Sequence, residues 1–379
     1  MSTKTDVISA ADPLWDNLLE LVPHDVYHTR AYHANSKLEI RDSCLSRNNA
    51  DYLLFSYRRD EMVFLFPFVL RTLDDIPGCS GSGYFDVTSV YGYGGPLASR
   101  NASCPFIEAA WRELFEVWKA HGVVSAFTRF HPLLDNVHLT QILSGQLSGL
   151  GGLSSTLCGA TVSIDLRRPE AEQFQQYQKN LRAAIRKCYA QGFEVITVDL
   201  TSAADLFVDL YTQSMRRRNA SEQYLIDRNW LLRFSRALSA NCFLLVARLN
   251  GEAAAAMLVM EYRGYVHAHL AGIDERFTDS SPLKPLLDGT RKWSTARGNH
   301  TFHLGGGIGG RQDSLFQFKQ HFSRRTHPFH IGCWVLNHEV YRSLSAEQLP
   351  EAVPLEDSSC TGIRPFPAYR FASPVAVAD

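Results

Sequence analysis

Two periods of apolar and polar residues alternate along this chain, and each switch between them marks an element. Asp12-Pro13 offers a helix cap and a first-turn proline, and Leu14, Leu18 and Leu21 follow at helical spacing. Residues 50–59 (ADYLLFSYRR) and 62–70 (MVFLFPFVL) are dense in β-formers and flank Asp60-Glu61, which predicts a hairpin. A third strand is expected in 84–91, closed by Tyr91-Gly92-Tyr93-Gly94-Gly95-Pro96. Phe106, Ala109, Ala110, Leu114 and Trp118 share one face of a helix over 105–120, and 123–130 reads as a strand.

A Ser/Gly/Leu-rich stretch, 143–158, reads as a linker, and beyond it the order starts again. Strand 161–166, helix 170–190 and strand 193–200 lead into helices over 203–218 and 227–239. Asn250-Gly251 then turns a hairpin of 243–250 and 253–262. Strand 265–272, helix 283–297 and strand 301–304 follow, then a glycine loop, a helix over 312–323 and closing strands in 326–336. Hairpin, third strand, helix and further strand thus occur at 50–130 and again at 243–304, as an internal duplication would leave them. A length of 379 residues suits two domains, expected at 1–150 and 160–345, with 346–379 as an irregular tail.

Charge sharpens this division. Residues 1–160 hold 12 basic and 17 acidic side chains, whereas 161–345 hold 24 and 17. A positive second half suggests an anionic ligand there, with nucleotide, coenzyme A and tRNA all qualifying. No window approaches the roughly 18 apolar residues of a membrane span. The opening MSTKTDVISAADPLW lacks the basic flank and apolar stretch of a signal peptide. Eight cysteines without a CxxC pair fit reduced thiols, so a cytoplasmic location is expected.

The basic residues gather in three places. Lys179, Arg182 and Arg186 recur along one face of the 170–190 helix, with Lys187 beside them, and like charges at that spacing cost a few tenths of a kcal/mol each. A bound anion would offset that repulsion, although solvated basic helix faces are common. Arg216-Arg217-Arg218 end a helix, where cations also favour the dipole. Lys319, Arg324 and Arg325 form the third group, and Leu315, Phe318 and Phe322 at helical spacing put Phe318 in a buried stripe with Lys319 at its rim. Gly305 to Gly310 formally satisfy GxGxxG, but no acidic residue follows near position 330 and the strand before it comes late in its unit, so a dinucleotide site is rejected. His267 and His269 share a strand face without a third ligand at useful spacing, so no metal is expected. No GxSxG or GK[ST] motif is present.

Tyr91-Gly92-Tyr93-Gly94-Gly95-Pro96, His303-Leu304-Gly305-Gly306-Gly307 and Leu315-Phe316-Gln317-Phe318-Lys319 together resemble the Fem-type transferases over roughly residues 10–340. Those enzymes have two GNAT-type domains and move an amino acid from aminoacyl-tRNA onto an amine. The similarity is to the compact members without a coiled-coil arm, and the second half's element order resembles the GNAT fold. It implies an α/β (α+β) fold of two GNAT-like domains, each a mixed, mainly antiparallel sheet flanked by helices.

The resemblance also implies roles for particular residues. Lys319 matches the lysine that meets the tRNA acceptor end, and Phe318 the aromatic at the reacting centre. Tyr211, Met215 and Arg216 match a second family pattern. Lys179, Arg182, Arg186, Arg216, Arg324 and Arg325 are expected on the tRNA donor. Tyr93, Gly94, Gly95, Tyr211, Tyr224, Gly306 and Gly307 are expected on the substrates. The family's early phosphate-binding lysine has no partner in register within Ala31 to Lys37, which weighs against a nucleotide-linked cell-wall acceptor.

The expected activity is aminoacyl transfer from aminoacyl-tRNA to the amine of a small molecule or peptide, without a cofactor. An acyl-CoA-dependent N-acyltransferase and a catalytically silent binding module are the alternatives. Against coenzyme A stands the stretch Asp274 to Pro282, which has no glycine pair and three acids where that fold cradles pyrophosphate on backbone amides. Asp86, Asp135 and His131 are possible bases, none of them compelling.

Overall fold

The computed structural model describes residues 3–36, 50–141, 155–220, 224–346 and 366–370. Its elements begin with β1 (Thr3–Ser9), α1 (Leu14–Leu19), α2 (Arg30–Asn35), β2 (Ala50–Arg59), β3 (Met62–Thr72), β4 (Phe85–Thr88), β5 (Leu97–Ala98), α3 (Cys104–Ala120), β6 (Val123–Arg129) and α4 (His138–Gln141). They continue with β7 (Ser155–Asp165), α5 (Glu170–Gln175), α6 (Lys179–Ala190), β8 (Phe193–Val198), α7 (Ala204–Arg217), α8 (Arg228–Leu238), β9 (Cys242–Leu249), β10 (Glu252–Tyr262) and β11 (Tyr265–Ile273). The last are α9 (Leu283–Ala296), β12 (Thr301–Gly305), α10 (Ser314–Gln320), β13 (Thr326–Val335) and α11 (His338–Ser345). Two compact units result: Met1–Cys158 with Phe329–Asp379, and Gly159–Pro328.

In the first unit the strands run β1-β2-β3-β4-β6-β13, all antiparallel except the pair β4/β6, and β5 adds to β3. In the second the order is β8-β9-β10-β11-β12-β7, again with one parallel pair, β11/β12. The two sheets thus repeat one plan, a mixed and mainly antiparallel sheet flanked by helices, as the duplicated sequence order predicts. Both hairpins sit where expected, and Asn250 and Gly251 each take positive φ to turn the second.

The apolar run of β3 reflects a sheet covered on both faces. Phe64, Phe66 and Phe68 face Trp111 and Trp118 of α3, while Val63 and Leu65 face Trp15, Leu18 and Leu19. The second unit packs Tyr177, Leu181, Ile185, Leu286 and Phe322 against the apolar face of β9 to β12.

Several sequence expectations need correction. The helix expected over 170–190 is two, α5 and α6, broken at Gln176 to Gln178. Tertiary bonds override the periodicity: the Tyr177 hydroxyl donates to buried Asp288 (3.2 Å), and the Gln178 amide donates to the His321 carbonyl (2.9 Å). β1 and α11 lie in stretches where the sequence pattern predicts no element, and 326–336 holds a single strand. Most of the expected linker lies outside the described residues, and Ser155–Cys158 already belong to β7. Of the expected tail past 346, only 366–370 is described, and its Arg370 donates to Asp86 (2.5 Å) and Asp75 (2.9 Å). No helix among the described residues is long and apolar enough to cross a membrane.

Candidate active site

Strands β11 and β12 pair for only three residues, ending at His267 opposite His303. Beyond that point β11 continues along β10 while β12 follows β7 to Gly305. The carboxyl ends of two parallel strands therefore part, which is where open α/β sheets place ligands. At the last paired position the two buried imidazoles meet Nδ1 to Nδ1 at 3.2 Å, so one nitrogen donates and the other accepts. Sequence spacing grouped His267 with His269. Instead His269 stacks on Phe234 at 5.7 Å, and its burial pushes its pKa down to about 3.

Past β12 the glycine loop leads to α10. Asp313 caps the helix by accepting from the Phe316 amide (2.9 Å) and also accepts from the Ile308 amide (2.9 Å), tying the loop to it. A Cβ on Gly307 would lie 2.1 Å from the Arg311 carbonyl oxygen and 2.2 Å from Asp313 Oδ1, so the loop needs glycine there for its own closure. From the far end of α10, Lys319 donates through Nζ to the Gly306 carbonyl at 2.6 Å. The residue is half-buried, and desolvation lowers its pKa to about 8, with Asp313 opposing the shift and Arg218 adding to it. Lys319 is thus an anchored ammonium at the end of β12, not a free rim lysine. Phe316 and Phe322 are the buried residues of this stretch, and Phe318 is half-buried against the Phe322 edge at 5.5 Å.

The break before α6 has a consequence for charge. Lys179, Arg182, Arg324 and Arg325 line one cavity of about 650 Å³ with Gln175, Gln176, Gln178, Asn180 and Gln320. Arg186 is instead exposed above the Phe174 ring at 5.4 Å, and Arg216 is exposed at the end of α7, outside that lining. Tyr211 is buried and stacked on Phe207, while Tyr224 is exposed. The six expected donor contacts therefore divide into four that share a cavity and two that do not.

In the first unit the Tyr91 to Pro96 segment is held by Asn136, whose amide donates to the Gly94 (2.8 Å) and Pro96 (2.9 Å) carbonyls while its oxygen accepts from the His131 amide. Tyr32 donates to the Tyr91 carbonyl at 2.6 Å, and a Cβ on Gly92 would fall 2.2 Å from the Tyr27 ring. Tyr93 is half-buried beside Tyr27, His131 and Phe329, and desolvation holds its hydroxyl well above the usual range. Two of the three possible bases are committed. His131 Nε2 bonds Asp25 at 2.7 Å in full burial, and Asp86 sits buried between Arg71 and Arg370.

Comparison with known proteins bears on the fold. Residues 175–320 match the acetyltransferase (GNAT) domain family. No curated protein matches the chain. The crystal structure of FemX superposes with a TM-score of 0.67 at 13% identity, covering 90% of this chain and 99% of that one. A conserved protein of unknown function from Bacteroides thetaiotaomicron aligns with a TM-score of 0.51 at 11% identity, over 88% and 100% of the two chains. The C-terminal domain of a putative lysylphosphatidylglycerol synthetase from Agrobacterium fabrum gives 0.48 at 14% identity, over 71% and 80%. Two sheets of one plan, a parting parallel strand pair in the second and the likeness to FemX together give this chain a two-domain GNAT-like fold, with the GNAT domain match lying in the second half.

Proposed function

We propose that the chain forms amide bonds, transferring an amino acid from aminoacyl-tRNA to the amine of a small molecule or peptide. The observation that carries this reading is Lys319, a desolvated ammonium fixed on the Gly306 carbonyl where β11 and β12 part. Aminolysis of an ester needs the amine held against the carbonyl and a positive group beside the developing oxyanion or the phosphates next to it. Lys319 fills that role in this reading, with Phe318 against the reacting ester and the Gly306-Gly307 backbone beside it. The amine attacks the ester carbon, the C–O bond to the ribose breaks, and the ribose oxygen takes a proton from the new amide nitrogen. An ammonium acceptor must first lose one proton to solvent, and the neutral amine that remains is the nucleophile. Tyr93, Gly94 and Gly95 are assigned to the acceptor, and Tyr211 and Tyr224 to neither substrate.

The family match favours acyl-CoA as the competing donor. Against it, the segment before α9 is a 3-10 helix, Glu275–Ser280, capped by Asp274, and residues 274–282 contain no glycine. Purified protein should therefore release labelled amino acid from an aminoacyl-tRNA pool into amide product in the presence of amines. Calorimetry should show acetyl-CoA binding weaker than micromolar. Micromolar acetyl-CoA affinity with acetyl transfer, and none from aminoacyl-tRNA, would reverse the assignment.

A further inference from the structure

We propose that the cavity between the 175–182 turn and the end of α10 is a phosphate-binding site for the donor. The identity of that donor rests on the functional reading above, whereas the preference for phosphate rests on the cavity alone. Its walls are built. The Gln178 amide joins the turn to the His321 carbonyl at 2.9 Å, and Arg182 donates to the Gln175 carbonyl at 2.7 Å and to the Tyr177 carbonyl. Tyr177 in turn is buried and bonded to Asp288, so neither wall is a loose surface loop.

The charge of that cavity is one-sided. Four cations, Lys179, Arg182, Arg324 and Arg325, face about 650 Å³, and no carboxylate lines it. The acid beside it, Asp165, lies 4.0 Å from Arg325 and is already bonded by Arg167 at 2.9 Å. Asp165 is held down to about 2 chiefly by that Arg167 bond, so it stays ionised and Arg167 is the cation that first matches its charge. α6 adds the positive end of a 12-residue helix with no acid in its first turn and no side-chain cap from Gln178. Cations clustered so closely repel one another, whereas a polyanion bonds to all of them. The amides of Gln175, Gln176, Gln178, Asn180 and Gln320 add neutral donors.

The position links the site to chemistry. Gln320, which lines the cavity, follows Lys319 in α10. The cavity and the ammonium assigned to the reacting ester therefore share one helix, α10.

The test is binding of fluorescent unfractionated tRNA across a salt series, with coenzyme A and inorganic pyrophosphate as separate ligands. The wild-type chain should bind tRNA with log K falling by about 0.9 per neutralised phosphate per decade of salt. Arg324→Ala with Arg325→Ala should flatten that slope by about two units and weaken binding at least about tenfold. Both side chains are exposed, so the melting temperature should hold, and Lys179→Ala supplies an independent variant should it not. Unchanged affinity and slope in both variants would overturn the site, as would a wild-type chain that binds none of the three ligands. Coenzyme A or pyrophosphate bound through these arginines, with tRNA not bound, would keep the phosphate site and overturn aminoacyl-tRNA as the donor.

Discussion

Lys319→Ala should lower the transfer rate about 100- to 1000-fold, the usual loss when a preorganised electrostatic donor is removed from a reacting centre. Its effect on folding should be far smaller. The side chain is half-buried and gives one hydrogen bond, to the Gly306 carbonyl, so about 1 kcal/mol is expected. The pH profile separates an ammonium from a neutral amine in the same place. With the folded pKa lowered to about 8, the cation prevails below that pH and is lost above it. If the cation is the working form, activity falls as pH rises through about 8. If the neutral amine worked as a base, activity would instead rise through the same window. Lys319→Arg should restore part of the rate and remove the descending limb, because a guanidinium keeps its charge but is not a compact point charge. Turnover at the wild-type level in Lys319→Ala, measured on a folded preparation, would displace the active site from α10.

The largest stability effect is expected in the other unit, at Asp86. This fully buried carboxylate accepts from Arg71 Nε at 2.7 Å and from Arg370 Nε at 2.5 Å, and the Tyr369 hydroxyl lies 3.4 Å away. Both guanidiniums are themselves nearly inaccessible, Arg71 at 5% and Arg370 at 7% side-chain exposure. Asp86→Ala would leave buried Arg71 without this carboxylate and would remove one of Arg370's carboxylate bonds, at a cost of about 3–5 kcal/mol. Urea unfolding of the variant checks this, and a loss below about 1 kcal/mol would mean that water reaches the guanidiniums. The arrangement gives residues 368–370 their place: Tyr369 bonds Ser125 of β6 at 2.7 Å, and Arg370 closes over the same carboxylate. Asp86, one of three possible bases in the sequence, is thereby a structural ion.

What the sequence determined by itself was the local and repeated part. Both hairpins, α3, α9 and the duplicated order of the two sheets follow from strand and helix periods and from turn residues such as Asn250-Gly251, all acting over a few neighbours. Charge asymmetry pointed to the second half, spacing put Leu315, Phe318 and Phe322 on a helix after the glycine loop, and the resemblance to the Fem-type transferases singled out Lys319 there. The remainder was decided by partners far apart in the chain. Gln178 meets His321 and breaks a helix that periodicity continues, which opens the cavity and brings Lys179 and Arg182 to Arg324 and Arg325. His267 meets His303 because parallel register on β11 and β12 aligns them, whereas spacing along one strand had pointed to His269. Lys319 reads as a rim residue by periodicity, and only the fold of the loop brings the Gly306 carbonyl to its amine and removes water from it. Local periods record which face of an element is apolar. They hold no record of which distant backbone group claims a hydrogen bond, and in this chain those bonds build the candidate site.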